Sequence, residues 1–80
     1  MEYIIDLKNI KNKEDAHNII KEALELPEYY GANLDALNDA LSELPMGSSI
    51  IIYVDEDMSE DIEKIISVFA SEEHLNIILD

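Results

Sequence analysis

Apolar residues recur along this chain with two different periods, and the switches between them mark out six elements. Residues 1–7 (MEYIIDL) form a short apolar run suited to a buried strand. Residues 8–13 are polar, and Asn12 can cap a helix whose first turn holds Asp15. From there Ala16, Ile19, Ile20, Ala23 and Leu24 recur at i, i+3, i+4, i+7 and i+8, an amphipathic helical stripe. Leu26-Pro27 is expected to end that helix, because the residue before a proline avoids helical geometry. A second helix is predicted from about Leu34, with Leu34, Leu37, Ala40, Leu41 and Leu44 on one arc. Asp35, Asp39, Ser42 and Glu43 fall on the opposite arc with Asn38 at its edge, and Pro45 and Gly47 break the pattern. Residues 49–54 (SIIIYV) are a continuous apolar run typical of a strand inside a mainly parallel sheet. Acids gather in residues 55–61, where a helix dipole favours them, so they read as a helix start and not as a metal site. Ile62, Ile65, Ile66, Phe69 and Ala70 make the third helical stripe, and residues 75–79 (LNIIL) the last strand.

The predicted order is therefore β-α-α-β-α-β, and strands separated by helices pair in parallel through right-handed crossovers. In each outer strand one alternate set is the cleaner: Tyr3, Ile5 and Leu7 in the first, Leu75, Ile77 and Leu79 in the last. The other sets include Glu2, Asp6, Asn76 and Asp80. That asymmetry predicts helices mainly on one face, an α/β fold of two layers. Eighty residues allow one small domain, residues 1–80, with no internal repeat and no low-complexity linker.

Charge narrows the function. Nineteen acids stand against five lysines, no arginine is present, and the net charge is −14. Nucleic-acid binding needs clustered cations for phosphate, and anionic membrane surfaces need the same, so both are excluded as partners. Acidity of this degree keeps a protein soluble, and it also attracts a basic partner, raising association rates by about 10- to 1,000-fold. There is no cysteine, and no run approaches the ~18 apolar residues of a membrane span. The expectation is a soluble, cytoplasmic protein.

The most informative stretch is residues 26–39, LPEYYGANLDALND. Asn33 is a good N-cap, and Asp35 and Asp39 follow at i and i+4 on the helix it opens. Asp35 lies in the first turn, where the dipole favours it by about 0.3–1 kcal/mol. Asp39 lies more than a turn in, and a like-charge i, i+4 pair costs roughly 0.2–0.5 kcal/mol. No lysine stands within four residues of either acid. Tyr29 and Tyr30 are adjacent, so one ring is expected to pack inward and the other to face out. Gly31 permits a positive φ or the close approach of a partner; a plain turn glycine reads equally well.

The run Leu-Pro-x-Tyr-Tyr-Gly-x-Asn-Leu-Asp-x-Leu, matched here at every fixed position, resembles that of barstar, the intracellular inhibitor of the ribonuclease barnase, and its relatives. The resemblance implies a three-stranded parallel sheet with packed helices. It also implies that Asp35 and Asp39 enter a ribonuclease active site where RNA phosphate would sit. It makes Tyr29 the exposed interface ring and Tyr30 the structural one. Gly31, Asn33, Asn38, Ser42 and Glu72 complete the partner-binding set it suggests. Two departures stand out: Asn38 occupies the place of a family tryptophan, and Pro45, Met46 and Gly47 replace an aromatic segment. A further family contact, a glutamate near the end of the third helix, falls on Ser71, with Glu72 and Glu73 directly after it.

Catalysis finds no support. The histidines are His17 and His74, with His17 expected on the exposed side of the first helix, and no EF-hand loop or His-x-x-x-His pair is present. With two glycines there is no phosphate-cradling loop. No cofactor is expected. The expected partner is a basic ribonuclease or ribonuclease-like toxin, bound by a monomer in a 1:1 heterodimer. The alternative is a non-inhibitory acidic module that binds another basic protein.

Overall fold

The central strand is the one whose sequence is apolar without interruption. In the computed structural model, which describes residues 2–80, the elements run β1 (Glu2–Asp6), α1 (Lys13–Ala23), α2 (Leu34–Ser42), β2 (Ser49–Tyr53), α3 (Glu60–Ala70) and β3 (Asn76–Leu79). This is the predicted β-α-α-β-α-β order; Met1, expected in the first strand, lies outside the described residues. The three strands form one parallel sheet in the order β1-β2-β3. Having neighbours on both sides, β2 buries Ile50 and Ile52 completely.

Register decides which residues share a face. Tyr3, Ile50 and Ile77 align across the sheet, as do Ile5, Ile52 and Leu79. These face the helical layer, where Ala16, Ile20 and Leu24 of α1, Leu37 and Leu41 of α2, and Ile62, Ile65, Ile66 and Phe69 of α3 close one core. Each fully buried aliphatic or aromatic side chain contributes about 1.5–3 kcal/mol, so this single layer of contacts carries the fold. Helices lie on that side alone; Ile4 and Ile78, on the other, are 57% and 50% exposed. Leu79 departs from its expected inward set. At the sheet edge it remains half exposed, because no helix reaches that far.

Asn12, Asn33 and Ser59 cap the three helices, their side-chain oxygens accepting from the amides of Asp15, Ala36 and Ile62. The end of α1 differs from expectation. It stops at Ala23, ahead of Leu26-Pro27, in a left-handed cap: Glu25 has φ 54°. The Glu25 amide donates to the Glu22 carbonyl at 3.2 Å and the Leu26 amide to the Lys21 carbonyl at 2.9 Å. That double bond pattern satisfies the last carbonyls of the helix and ordinarily places glycine at the left-handed position. Here a glutamate bears the strain.

His17 corrects the sequence reading more sharply. It was expected on the exposed side of α1, yet it is 2% exposed. The buried arc of α1 is Ala16, His17, Ile20 and Leu24, rotated from the one read off the apolar stripe, with Ile19 and Ala23 only half-buried. The segment after α1 folds back over that edge and brings Tyr30 with it. His17 Nδ1 lies 2.7 Å from the Tyr30 hydroxyl, their ring centroids 5.8 Å apart. Desolvation, and secondarily the charge of Lys13, lower the His17 pKa below 6.5. Burial pushes the Tyr30 hydroxyl up to about 12.

Two outcomes follow for stability. Glu25→Gly should stabilise the protein by about 0.5–1 kcal/mol, since glycine takes positive φ without the side-chain penalty. A thermal melt should therefore rise by several degrees, while Glu25→Ala, which removes the same charge and keeps the Cβ, should gain much less. For His17 the unfolded chain binds the proton first, so its contribution is complete above pH 6.5 and is lost as pH falls through the lowered folded value. Denaturant titrations at stepped pH should show a smaller loss between neutrality and mildly acid pH for His17→Gln than for the parent.

Candidate functional site

A turn and one short helix build the surface on which the sequence candidates meet. The turn is closed by the Tyr30 amide donating to the Pro27 carbonyl at 3.0 Å. Tyr30 points inward to His17, and Tyr29 projects into solvent, 88% exposed. Of the readings open for Gly31, a positive φ does not hold; the left-handed residue of the turn is Ala32, at φ 52°. Space is tight at position 31: a Cβ there would lie 3.3 Å from both the Ala36 Cβ and the Asn33 Nδ2, so its neighbours would have to give slightly. Asn33 ties the two parts together: its Oδ1 accepts from the Ala36 amide at 2.8 Å and its Nδ2 donates to the Gly31 carbonyl at 3.3 Å.

On α2 the spacing of Asp35, Asn38, Asp39 and Ser42 puts all four on one arc, and all four are exposed. Leu37 and Leu41 on the opposite arc are fully buried. Among the described residues no lysine or histidine lies within ion-pair distance of Asp35 or Asp39. Lys11, Lys21 and Lys64 pair with acids elsewhere: Asp55 and Asp57, Glu28, and Glu60. Ser42 spends its hydroxyl on the Asp39 carbonyl at 2.6 Å, which leaves it acceptor capacity only.

Between the turn and α2 runs an open groove of about 210 Å³. Tyr29 and Gly31 line one side, Ala36 and Ala40 form a low floor, and Asp39 and Glu43 stand along the helix. Glu43 is a member the sequence reading left out of the site. The signal was present: Asp35, Asp39 and Glu43 stand at i, i+4 and i+8, one carboxylate per turn of a single stripe. An aromatic wall, a small-residue floor and two acids suit a flat or elongated cationic group, which the carboxylates can hold by charge-assisted hydrogen bonds.

The remaining candidates are placed differently. Leu34, expected in the core arc, is at the rim, 36% exposed; α2 packs chiefly on α3, and its first turn overhangs. Leu34 and Asn33 border a second cleft of about 200 Å³ with Lys13, His17 and Lys64. Glu72 is half-buried with its carboxylate 3.7 Å from His74 Nδ1, whereas Ser71 and Glu73 beside it are exposed. The connection from α2 to β2 turns at Gly47, φ 84°, and leaves Met46 exposed where an aromatic segment was noted as missing. Among the described residues no group of three or more His, Asp or Glu side chains is arranged to hold a metal.

Comparison with known proteins places the chain in a family. A Bacillus subtilis (strain 168) protein named "Putative ribonuclease inhibitor YrdF" is 46% identical over 46 residues, which cover 54% of this chain and 50% of that protein. The match thus spans half the length of that relative. The family model described as Barstar (barnase inhibitor) fits residues 1–75, almost the whole chain, and the chain accordingly belongs to the barstar family.

Proposed function

We propose that this chain inhibits a basic, barnase-like ribonuclease of the secreted or toxin type by laying α2 across its active site. The observation that carries the reading is the Asp35–Asp39–Glu43 stripe, exposed on a short helix with no cation of its own within reach. A ribonuclease binds a polyanion and therefore lines its site with cationic side chains. Carboxylates one helical turn apart present to those cations a series of anionic acceptors in place of successive phosphates. The turn supplies the rest of the contact: Tyr29 brings rigid aromatic area at little entropy cost, and Gly31 and Asn33 hold it against the helix. The name borne by the relative supports the same activity.

Action in the cytoplasm and a 1:1 complex of one monomer with one ribonuclease belong to this proposal. An interface of about 800 Å² per partner is enough for it. The net charge of −14 speeds encounter with a basic protein, and salt weakens that steering. Asn38, exposed where the family tryptophan stands, favours one alternative. In it the same helix binds a basic protein other than a ribonuclease and blocks no catalysis.

The test is a stoichiometric inhibition titration against barnase and other small basic ribonucleases. Asp39→Ala should raise the inhibition constant by about 10- to 100-fold, the loss of a hydrogen bond to a charged group worth about 1.5–3 kcal/mol. Glu22→Ala, on the exposed side of α1, should change it by less than about threefold. Equal losses would assign inhibition to bulk charge. A complex that forms while RNA cleavage continues undiminished would assign the adaptor role.

A further inference from the structure

The sheet has a second face, and the inhibitory surface makes no use of it. Its outward positions form a three-by-three grid. Glu2, Ser49 and Asn76 make one row, Ile4, Ile51 and Ile78 the next, and Asp6, Tyr53 and Asp80 the third. Asp80 continues the β3 ladder, its amide donating to the Ile52 carbonyl at 2.9 Å and its carbonyl accepting from Val54 at 3.1 Å. The middle row crosses all three strands, with Ile4 57% and Ile78 50% exposed. All-parallel sheets are almost always covered on both faces, because their strands are apolar on both. Among the described residues only one layer of helices is present.

The grid also says what fits on it. Apolar side chains form a cross: Ile51 and Tyr53 along the middle strand, Ile4 and Ile78 to either side. Three of the four corners are acids, Glu2, Asp6 and Asp80, and no lysine occupies any of the nine positions. Among the described residues none of these carboxylates is in an ion pair, and Asp6 only accepts from the Lys8 amide at 3.1 Å. A second copy of this chain would press acid corners onto acid corners, between molecules each carrying −14, so self-association is disfavoured. Size favours a helix. Strands about 4.8 Å apart give a face roughly 10 Å across between the outer strand axes, the breadth of one α-helix. Five residues of strand extend about 16 Å, or roughly three helical turns.

We propose that the open sheet face binds one amphipathic helix of a partner protein, its apolar stripe on Ile51 and Tyr53 between Ile4 and Ile78, its flanking Lys or Arg side chains on Glu2, Asp6 and Asp80. This surface lies on the opposite side of the sheet from the helical layer and is independent of the ribonuclease reading.

The probe is a synthetic Leu/Lys peptide of about four helical turns with all its leucines on one face, compared with a scrambled peptide of identical composition. Binding is followed by the isoleucine methyl signals of the intact protein. The amphipathic peptide should move the Ile4, Ile51 and Ile78 methyls saturably, and the scramble should not. Ile78→Asp, at a half-exposed edge position, should weaken binding by at least about tenfold while leaving the melting temperature and any ribonuclease inhibition in place. Asp35→Asn/Asp39→Asn, which disables the inhibitory helix, should leave peptide binding unchanged. The proposal is overturned if both peptides bind alike, if the shifts centre on α2, or if Ile78→Asp binds as tightly as the parent. Concentration-dependent dimerisation abolished by Ile78→Asp would also overturn it, since the occupant would then be a second copy.

Discussion

Leu37 and Leu41 are the only two residues of α2 with no solvent exposure at all, and through them the helix is fastened to α3. Everything outward on α2 takes its position from that contact. An α-helix advances 100° per residue, so fixing positions 37 and 41 inward necessarily turns 35, 38, 39 and 42 outward. Two buried leucines supply about 3–6 kcal/mol by area. The like-charge neighbours along the stripe, at roughly 0.2–0.5 kcal/mol per pair, take back at most about a third of it. Packing therefore wins, and the helix can present uncompensated carboxylates without unwinding.

The turn that accompanies α2 depends on a separate anchor. Tyr30 reaches across to His17 on α1, and Asn33 donates to the Gly31 carbonyl of the turn and accepts from the Ala36 amide of α2. Tyr29, the residue before, is consequently committed to solvent. One ring is sacrificed to structure so that its neighbour can be displayed. Gly31 fits this account better than it fits a conformational one: the turn closes so near Ala36 that an added Cβ would stand 3.3 Å from the Ala36 Cβ, a contact that forces a small shift. The left-handed position falls on the next residue, Ala32, at φ 52°.

Much of this was legible from residue order alone. The β-α-α-β-α-β sequence, the alternate sets of β1 and the caps at Asn12 and Asn33 all follow from period and side-chain chemistry. Long-range packing was not legible. His17 reads as exposed because it is polar and off the apolar stripe, whereas the fold sets the Tyr30 ring against it. Glu25 ended α1 early through a cap that ordinarily demands glycine, so its sequence carried no stop signal there. Leu34 reads as a core residue by arc, yet it stands at the rim of the cleft it shares with Lys13, His17 and Lys64. Glu43 shares the outward arc of Asp35 and Asp39 in the sequence, but only the fold shows that it lines one groove with Asp39 and Tyr29.

Net charge is a poor guide to what any one surface of this protein does. At physiological ionic strength charges more than about 8 Å apart are largely screened, so −14 distributed over the molecule acts mainly during approach. Close contact is decided by local arrangement, and the two acid-bearing faces differ there. On α2 the carboxylates line up along one stripe with small alanines beside them, a surface suited to pairing with point charges held by a rigid partner. On the open sheet face they sit around the apolar positions Ile4, Ile51, Ile78 and Tyr53, where in the proposed complex hydrophobic area supplies the attraction and charge selects among occupants. On the two proposed readings the same excess of acid is the principal contact on one side and a filter on the other. Which role it takes follows from whether alanine or isoleucine lies between the carboxylates.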